Sequence, residues 1–330
     1  LEEKHKPLAG LRRFTPRYWP TWLGLGLLRL IVRLPYRWQL SIGRLVGQMF
    51  RLLSPYRRTI VATNLKLVFP ELDARARRRL EKRVYASLGM SMIETAAGLW
   101  APEHLFDRLG HIEGLENILE VQRQGKGVLL LSGHFCSLDF AGRILVHHHR
   151  ICFTFQELRN RVFDRAVREA RERRCHILIH RHDTRAFIRA LKSGEVVWYA
   201  PDQSQERRNS VFAPFFGIPT NTLTATTRLA RLTGAAVLPF SIERLPDARG
   251  YALHIAPPLE NFPGASEYED ARRFNALIES QVRTRPEQYL WIHRRFKARP
   301  EGEPKLYPPK PRRVRKKARL QRQAGGKSSG

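Results

Sequence analysis

Acidic residues, cysteines and long apolar runs are all scarce in this sequence, and each shortage excludes something. Its 330 residues carry 30 Asp and Glu against 59 Lys and Arg, a formal balance of +29. Partners of such a chain are anionic: nucleic acid, anionic lipid, a phosphorylated substrate or an acidic carrier protein. The three cysteines, Cys136, Cys152 and Cys175, are too few for a disulfide scaffold, and free thiols fit a reducing compartment. No stretch offers the roughly 20 uncharged apolar residues that span hydrocarbon, which excludes a polytopic membrane protein. Disorder throughout is excluded too, because 42% of the residues are hydrophobic and runs such as Val128–Leu131 require burial.

Several catalytic and cofactor motifs are missing as well. There is no Gly-x-Ser-x-Gly elbow: Ser132 lies in Leu-Leu-Ser-Gly-His, the wrong frame. A phosphate loop ahead of a helix and a dinucleotide glycine fingerprint after a strand are both absent. His176, His180 and His182 with Cys175 lack zinc-type spacing and a second ligand pair. No metal or cofactor is expected from these residues.

What is present divides the chain into three. Residues 305–330 hold ten Lys and Arg, no acid, and Pro308, Pro309 and Pro311, the composition of a disordered basic arm with a weak attraction to anionic membrane lipid. The +29 less these ten leaves +19 on the rest, so the body is basic too. Residues 1–108 read as a helical, membrane-associated region. Arg29, Arg33, Arg37, Arg44 and Arg51 return to one helix face, with apolar residues expected opposite and Tyr18, Trp19, Trp22, Tyr36 and Trp38 nearby. No acid occurs from Leu11 to Pro70, and this combination suits a membrane–water boundary. Two arginines inside Leu23–Leu34 make full spanning costly.

Residues 109–304 change rhythm. Short β-type runs at 127–132, 151–155, 176–179, 195–199, 235–242 and 251–255 alternate with helical stretches at 138–148, 160–174, 184–191, 221–232 and 267–283. The alternation predicts an α/β domain with a mostly parallel central sheet flanked by helices. Val128–Leu131 is continuously apolar, as a strand buried on both faces must be.

The sharpest chemical feature follows that strand: Gly127-Val-Leu-Leu-Leu-Ser-Gly-His134-Phe-Cys-Ser-Leu-Asp139. His134 falls at the carboxyl end of the strand, where open α/β sheets place their ligands. Ser137 is a candidate N-cap, which puts Asp139 in the first helical turn. A carboxylate there can turn back, fix the imidazole tautomer and leave the other ring nitrogen to take a proton from a hydroxyl. Gly133 is expected to let a substrate approach closely. Spacing alone does not settle these roles: a His and an Asp five apart are common, and Asp139 also fits as a dipole-favoured first-turn acid.

With these residues in view, the chain resembles the late acyltransferases of lipid A biosynthesis, the lauroyl/myristoyl type, within the wider lysophospholipid and glycerol-phosphate acyltransferase group. His134 and Asp139 match the His-x4-Asp signature of that group. Asn64-Leu-Lys-Leu-Val-Phe-Pro70, Val197-Trp-Tyr-Ala-Pro-Asp202-Gln203, Ser210–Gly217 and Tyr289-Leu-Trp-Ile-His-Arg-Arg-Phe-Lys297 extend the likeness from about Tyr18 to Tyr307. The resemblance implies transfer of a fatty acyl group from acyl carrier protein, or from coenzyme A, to a hydroxyl of a phosphorylated glycolipid. His134 would be the base, Asp139 its orienting partner, and the thioester would be attacked without an acyl-enzyme. It further implies substrate contacts from Arg181, Asn160, Asp202 and Gln203, and a place on the cytoplasmic face of a bacterial inner membrane. One departure matters: where many members carry Tyr-Arg-Pro-x-x-Asn-Pro, this chain reads Phe155-Gln156-Glu157-Leu158-Arg159-Asn160-Arg161. That leaves a lysophospholipid, ornithine lipid or other glycolipid open as acceptor. Nucleic-acid binding through the basic surface is the remote alternative, for no nucleic-acid module is present.

Overall fold

The computed structural model describes residues 15–158, 160–174, 176–203 and 209–309. The basic arm beyond residue 309 and the first 14 residues of the expected helical region lie outside the described residues. Four helices come first: α1 (Trp19–Val32), α2 (Tyr36–Leu53), α3 (Pro55–Val68) and α4 (Ala74–Trp100). Proline sets their joints. Pro20 sits in the first turn of α1, Pro35 precedes α2 and Pro55 opens α3, where a missing N–H breaks no helical bond. Asp73 starts α4 by accepting from the Ala76 amide at 2.6 Å.

Next come α5 (Glu103–Leu109), β1 (Gly110–Glu113) and α6 (Leu115–Arg123). The alternating part follows: β2 (Val128–Leu131), α7 (Leu138–His148), β3 (Ile151–Phe155), α8 (Arg161–Glu172), β4 (Ile177–His180), α9 (Thr184–Lys192) and β5 (Val196–Tyr199). A hairpin of β6 (Ser210–Phe215) and β7 (Ile218–Leu223) precedes α10 (Ala225–Thr233), β8 (Ala236–Arg244), β9 (Tyr251–Ile255) and α11 (Glu267–Thr284).

Seven strands form one sheet in the order β1-β9-β8-β2-β5-β3-β4. β8, β2, β5, β3 and β4 run parallel, while β9 pairs antiparallel with β8 and carries β1 alongside it. The expected mostly parallel α/β architecture is therefore the observed one, and β2, buried at every position, lies inside it. Two elements depart from the sequence reading. β1 is a short strand where none was expected, and the hairpin occupies ground read as loop, with Asn221 inside β7 and not opening a helix. Pro214 and Pro219 face each other across that hairpin, hiding its alternation, and Phe216-Gly217 turns it with φ of 51° and 72°.

The N-terminal helices are built into the same core as the sheet. On one face Leu80, Val84, Tyr85 and Leu88 of α4 pack with Leu129, Leu131 and Val197. On the other, Met90, Ala96 and Ala97 pack with Val128, Leu130 and Phe140. α2 crosses α4 at backbone contact: a Cβ on Gly47 would lie 1.9 Å from the Tyr85 carbonyl oxygen, and one on Gly89 would lie 2.1 Å from that of Gly43. A buried ion pair ties α4 to the sheet. Arg244 Nη2 donates to Glu94 at 2.6 Å and Nη1 to Ser87 at 2.9 Å, while the Tyr251 hydroxyl donates to Glu94 at 2.5 Å.

The outer faces of α1 and α2 differ from the simple opposition of arginine and apolar sides. Leu25, Val32, Tyr36, Gln39, Leu40, Gly43 and Gly47 face inward. Leu23, Leu27, Leu30, Trp38, Leu45 and Leu52 remain exposed beside Arg29, Arg33, Arg37 and Arg44. Gly43 and Gly47 take the inward positions where α4 lies closest, and the remaining leucines stay outside with the cations. Among the described residues no helix is long and apolar enough to cross a membrane.

Candidate active site

The site lies where the carboxyl ends of β2 and β5 leave the sheet. These strands are parallel neighbours with Leu131 opposite Tyr199, and the Ser132 amide extends the ladder to the Tyr199 carbonyl at 3.1 Å. His134 and Asp202 each stand three residues beyond that matched pair. The shared offset brings them together. The Asp202 carboxylate takes His134 Nδ1 on Oδ1 and the His134 backbone N–H on Oδ2 at 2.9 Å. With Nδ1–H directed at the acid, Nε2 keeps its lone pair, and the ring is 28% exposed while Asp202 is 2% exposed.

A segment following α11 clamps this pair. Cys136 N–H donates to the Gln288 carbonyl at 2.7 Å and Leu290 N–H to the His134 carbonyl at 3.0 Å. The buried Tyr289 hydroxyl donates to Asp202 Oδ2 at 2.8 Å. Arg295, also buried, is held by the Asn221 carbonyl at 2.8 Å and stacks on Phe215 at 5.2 Å.

The electrostatics follow from this packing. Burial alone would push Asp202 up, but the His134 charge, two hydrogen bonds from the same residue and Arg295 hold it far below the ordinary carboxylate range. Burial disfavours the imidazolium of His134, yet the Asp202 charge and hydrogen bond outweigh it and leave the imidazole above its ordinary value. Burial pushes the neighbouring Cys136 thiol up to about 11, so it stays protonated and is a poor nucleophile. His293 feels both members of the pair. Burial brings it down to about 4 against the pull of Asp202, which keeps it neutral, and its buried Nε2 has no hydrogen-bond partner.

The expected dyad is thus corrected in its acid. Asp139 does sit in the first turn of α7, but its Oδ2 accepts from Thr95 Oγ1 at 2.9 Å and its Oδ1 from Arg171 at 2.9 Å. The first turn aims that carboxylate at α4 and α8, and Asp202, expected to touch substrate, holds the imidazole. At Gly133 a Cβ would meet Ile278 at 3.0 Å and Phe135 at 3.3 Å, so the glycine lets these side chains pack closely. Asn160 caps α8, accepting from Val162 and Phe163 at 3.1 Å, and its amide donates to Thr21 of α1 at 2.7 Å. Arg181 stands exposed after β4 and donates to Gln156, the residue that replaces the Arg of the family stretch. Gln203 is half-buried next to Asp202. Tyr289, His293 and Arg295 were not singled out from the sequence. Their only signal was the run Tyr289–Lys297, which carried the resemblance without any role. Among the described residues no group of three His, Cys, Asp or Glu could hold a metal ion.

A narrow apolar slot lies between α4, α7, α8 and β3. Gly98, Leu138, Gly142, Val146, Phe153 and Trp198 line it, and the Asp139–Arg171 ion pair borders it. Trp198 also donates to Ser132 Oγ at 2.9 Å, two residues before His134.

Comparison with known proteins gives the family. The family model described as bacterial lipid A biosynthesis acyltransferase matches residues 11–298. The chain is 39% identical to the lipid A biosynthesis palmitoleoyltransferase of Escherichia coli strain K12, over 88% of this chain and 95% of that protein. It is 38% identical to the lipid A biosynthesis lauroyltransferase of the same strain, over 88% of this chain and 96% of that protein. Among solved structures, the 1-acyl-sn-glycerophosphate (LPA) acyltransferase PlsC of Thermotoga maritima aligns with 74% of this chain and 97% of its own, at 17% identity and a TM-score of 0.36. The chain belongs to the bacterial lipid A biosynthesis acyltransferase family, and it is an acyltransferase.

Proposed function

We propose that this enzyme transfers a fatty acyl group from acyl carrier protein, or from coenzyme A, to a hydroxyl of a phosphorylated lipid A precursor, with His134 as general base and Asp202 as its positioning partner. The observation that carries the reading is the free Nε2 of an imidazole whose Nδ1 is held by a buried carboxylate at the mouth of a sheet. In the step, Nε2 takes the hydroxyl proton as the oxygen attacks the thioester carbonyl carbon. The tetrahedral intermediate expels the thiolate, which recovers the proton from the imidazolium, leaving an ester and a thiol. The half-buried, protonated Cys136 supports direct transfer over an acyl-enzyme. The apolar slot takes the donor chain.

The exposed leucines and arginines of α1 and α2 support docking on an anionic membrane surface, in this reading the cytoplasmic face of the inner membrane, where both substrates meet. The basic body favours an acidic carrier protein by charge steering. The test is twofold. Purified enzyme with acyl carrier protein or coenzyme A thioesters is expected to acylate a lipid A precursor, and His134→Ala to abolish transfer while staying folded. Lipid mass spectrometry of a deletion strain is expected to find lipid A lacking one acyl chain. An unchanged lipid A pattern would reject the acceptor and turn attention to another lipid.

A further inference from the structure

We infer that the cleft between the α1–α2 turn and the α4–α5 joint is a second lipid site, which holds the anionic phosphodiester headgroup of a phospholipid away from the acyl-transfer centre. The cleft has a volume of about 590 Å³, and its walls include Arg29, Arg33, Arg108 and His104 but no carboxylate. Among the described residues no acid pairs with any of the three arginines. The acids of α5 are turned elsewhere: Glu103 to Arg143 and His147, Asp107 to His147 at 2.6 Å. Arg29 is steadied over the Trp100 ring at 5.1 Å. Three uncompensated guanidinium groups around one concavity repel one another unless an anion sits between them, and guanidinium matches phosphate oxygens in geometry as well as charge.

Two further features border the same cleft. α2 is 18 residues long and begins at the cleft wall, with Pro35 and Tyr36 in the lining and no side-chain cap or acid in its first turn, so its positive end is not neutralised there. Gln39, 2% exposed, lines the cleft and gives its amide nitrogen to the Val32 carbonyl at 2.9 Å and the Leu34 carbonyl at 2.8 Å. Those bonds fix the amide orientation and leave Oε1 buried without a donor. The side chain thereby locks the α1–α2 turn that carries Arg33 into the cleft wall. The surroundings make the ligand a lipid: Leu34 forms part of the wall, and Leu30 and Trp38 lie exposed beside it at 59% and 66%. A headgroup in the cleft leaves its chains against that apolar rim. This site does not depend on the acyl-transfer reading, since it is measured without turnover.

The test is co-sedimentation of the full chain with phosphatidylcholine vesicles, with and without phosphatidylglycerol. The unaltered chain is expected to prefer the phosphatidylglycerol vesicles. The triple variant Arg29→Gln, Arg33→Gln, Arg108→Gln is expected to lose roughly tenfold or more of that preference. The control variant Arg75→Gln, Arg78→Gln, Arg79→Gln removes the same charge from an exposed part of α4 and is expected to change it by about twofold or less. Equal losses in both variants would reduce the effect to general charge and overturn the site, as would an unchanged cleft variant. Arg33→Gln alone, an exposed side chain with no partner among the described residues, is expected to give a partial loss with an unchanged Tm. Dihexanoyl phosphatidylglycerol is expected to raise Tm of the unaltered chain at concentrations where inorganic phosphate does not. Equal rises with both would assign the cleft to free phosphate and overturn the lipid assignment.

Discussion

Replacing Asp202 by Asn tests the catalytic argument at its most sensitive point. Two donors converge on Oδ2, the His134 amide at 2.9 Å and the Tyr289 hydroxyl at 2.8 Å, while Nδ1 of His134 faces Oδ1. An asparagine in this pocket keeps its carbonyl on the side with two donors and turns its NH₂ toward the imidazole. The ring must then offer the lone pair of Nδ1 and carry its proton on Nε2, the atom that should receive one. Loss of a positioned base costs about 10²–10⁴ in rate, or about 3–5 kcal/mol of barrier. The pH profile gives a second reading. An imidazolium cannot accept a proton, so kcat/KM rises with pH, and because Asp202 raises the His134 pKa the midpoint lies above the ordinary value of about 6.5. In Asp202→Asn that raising charge is gone and burial remains, so the residual activity has its acid limb at lower pH. The assay is initial rates of thioester-dependent acylation from pH 5 to 9 (about the range over which imidazoles titrate), with circular dichroism to establish folding. Asp139→Asn, run alongside, is expected to leave the limb where it is, because its carboxylate is spent on Thr95 and Arg171. A folded Asp202→Asn enzyme with wild-type kcat, or an acid limb moved by Asp139→Asn, would refute the reasoning.

Further outcomes follow from the packing. Gly98 has room for a Cβ, its nearest neighbour being the Asp139 carbonyl oxygen at 3.6 Å, so Gly98→Met is expected to fill the slot and shift preference toward shorter acyl chains by about tenfold or more in kcat/KM ratio, measured with a series of donors. Arg244→Met leaves Glu94, 1% exposed, with an uncompensated charge, and is expected to cost about 3–5 kcal/mol, a fall in Tm on the order of 10 °C by calorimetry. Gly47→Ala drives a methyl into the Tyr85 carbonyl, so α2 must move off α4, which protease sensitivity of the α2 segment would report. The His134–Asp202 pair also makes stability depend on pH. The depressed Asp202 contributes above about pH 4 and loses this as pH falls through its folded pKa, while the raised His134 contributes below about pH 6.5 and loses this as pH rises through its own. Between those values the wild-type advantage in Tm over Asp202→Asn is expected to be greatest.

What could be read in the sequence, and what could not, divides along the range of the interactions involved. The strand at 128–131, the helices after it and the position of His134 are local facts: apolar continuity, a glycine, a first helical turn. The alternation of strands and helices likewise fixed the layered architecture. The partner of His134 is not local. Asp202 meets it because β5 lies beside β2 in the sheet, although β3 and β4 come between them in the chain. Once that adjacency is known, the pairing follows by counting three residues from Leu131 and three from Tyr199. Without it, the nearest acid in sequence, Asp139, is the natural choice. Helix geometry turns that side chain outward, to residues 44 positions earlier and 32 later. Tyr289 is further still from recognition, since its hydroxyl reaches the site only after the chain has crossed the whole sheet and returned past α11. The hairpin at 210–223 failed for a different reason: two prolines in facing positions erased a periodicity that the backbone nevertheless follows. Composition and periodicity therefore mark which residues can do chemistry, while the order of strands in the sheet selects which of them act together. An acid chosen by sequence proximity to a catalytic histidine should be checked against the acids at the ends of the neighbouring parallel strands.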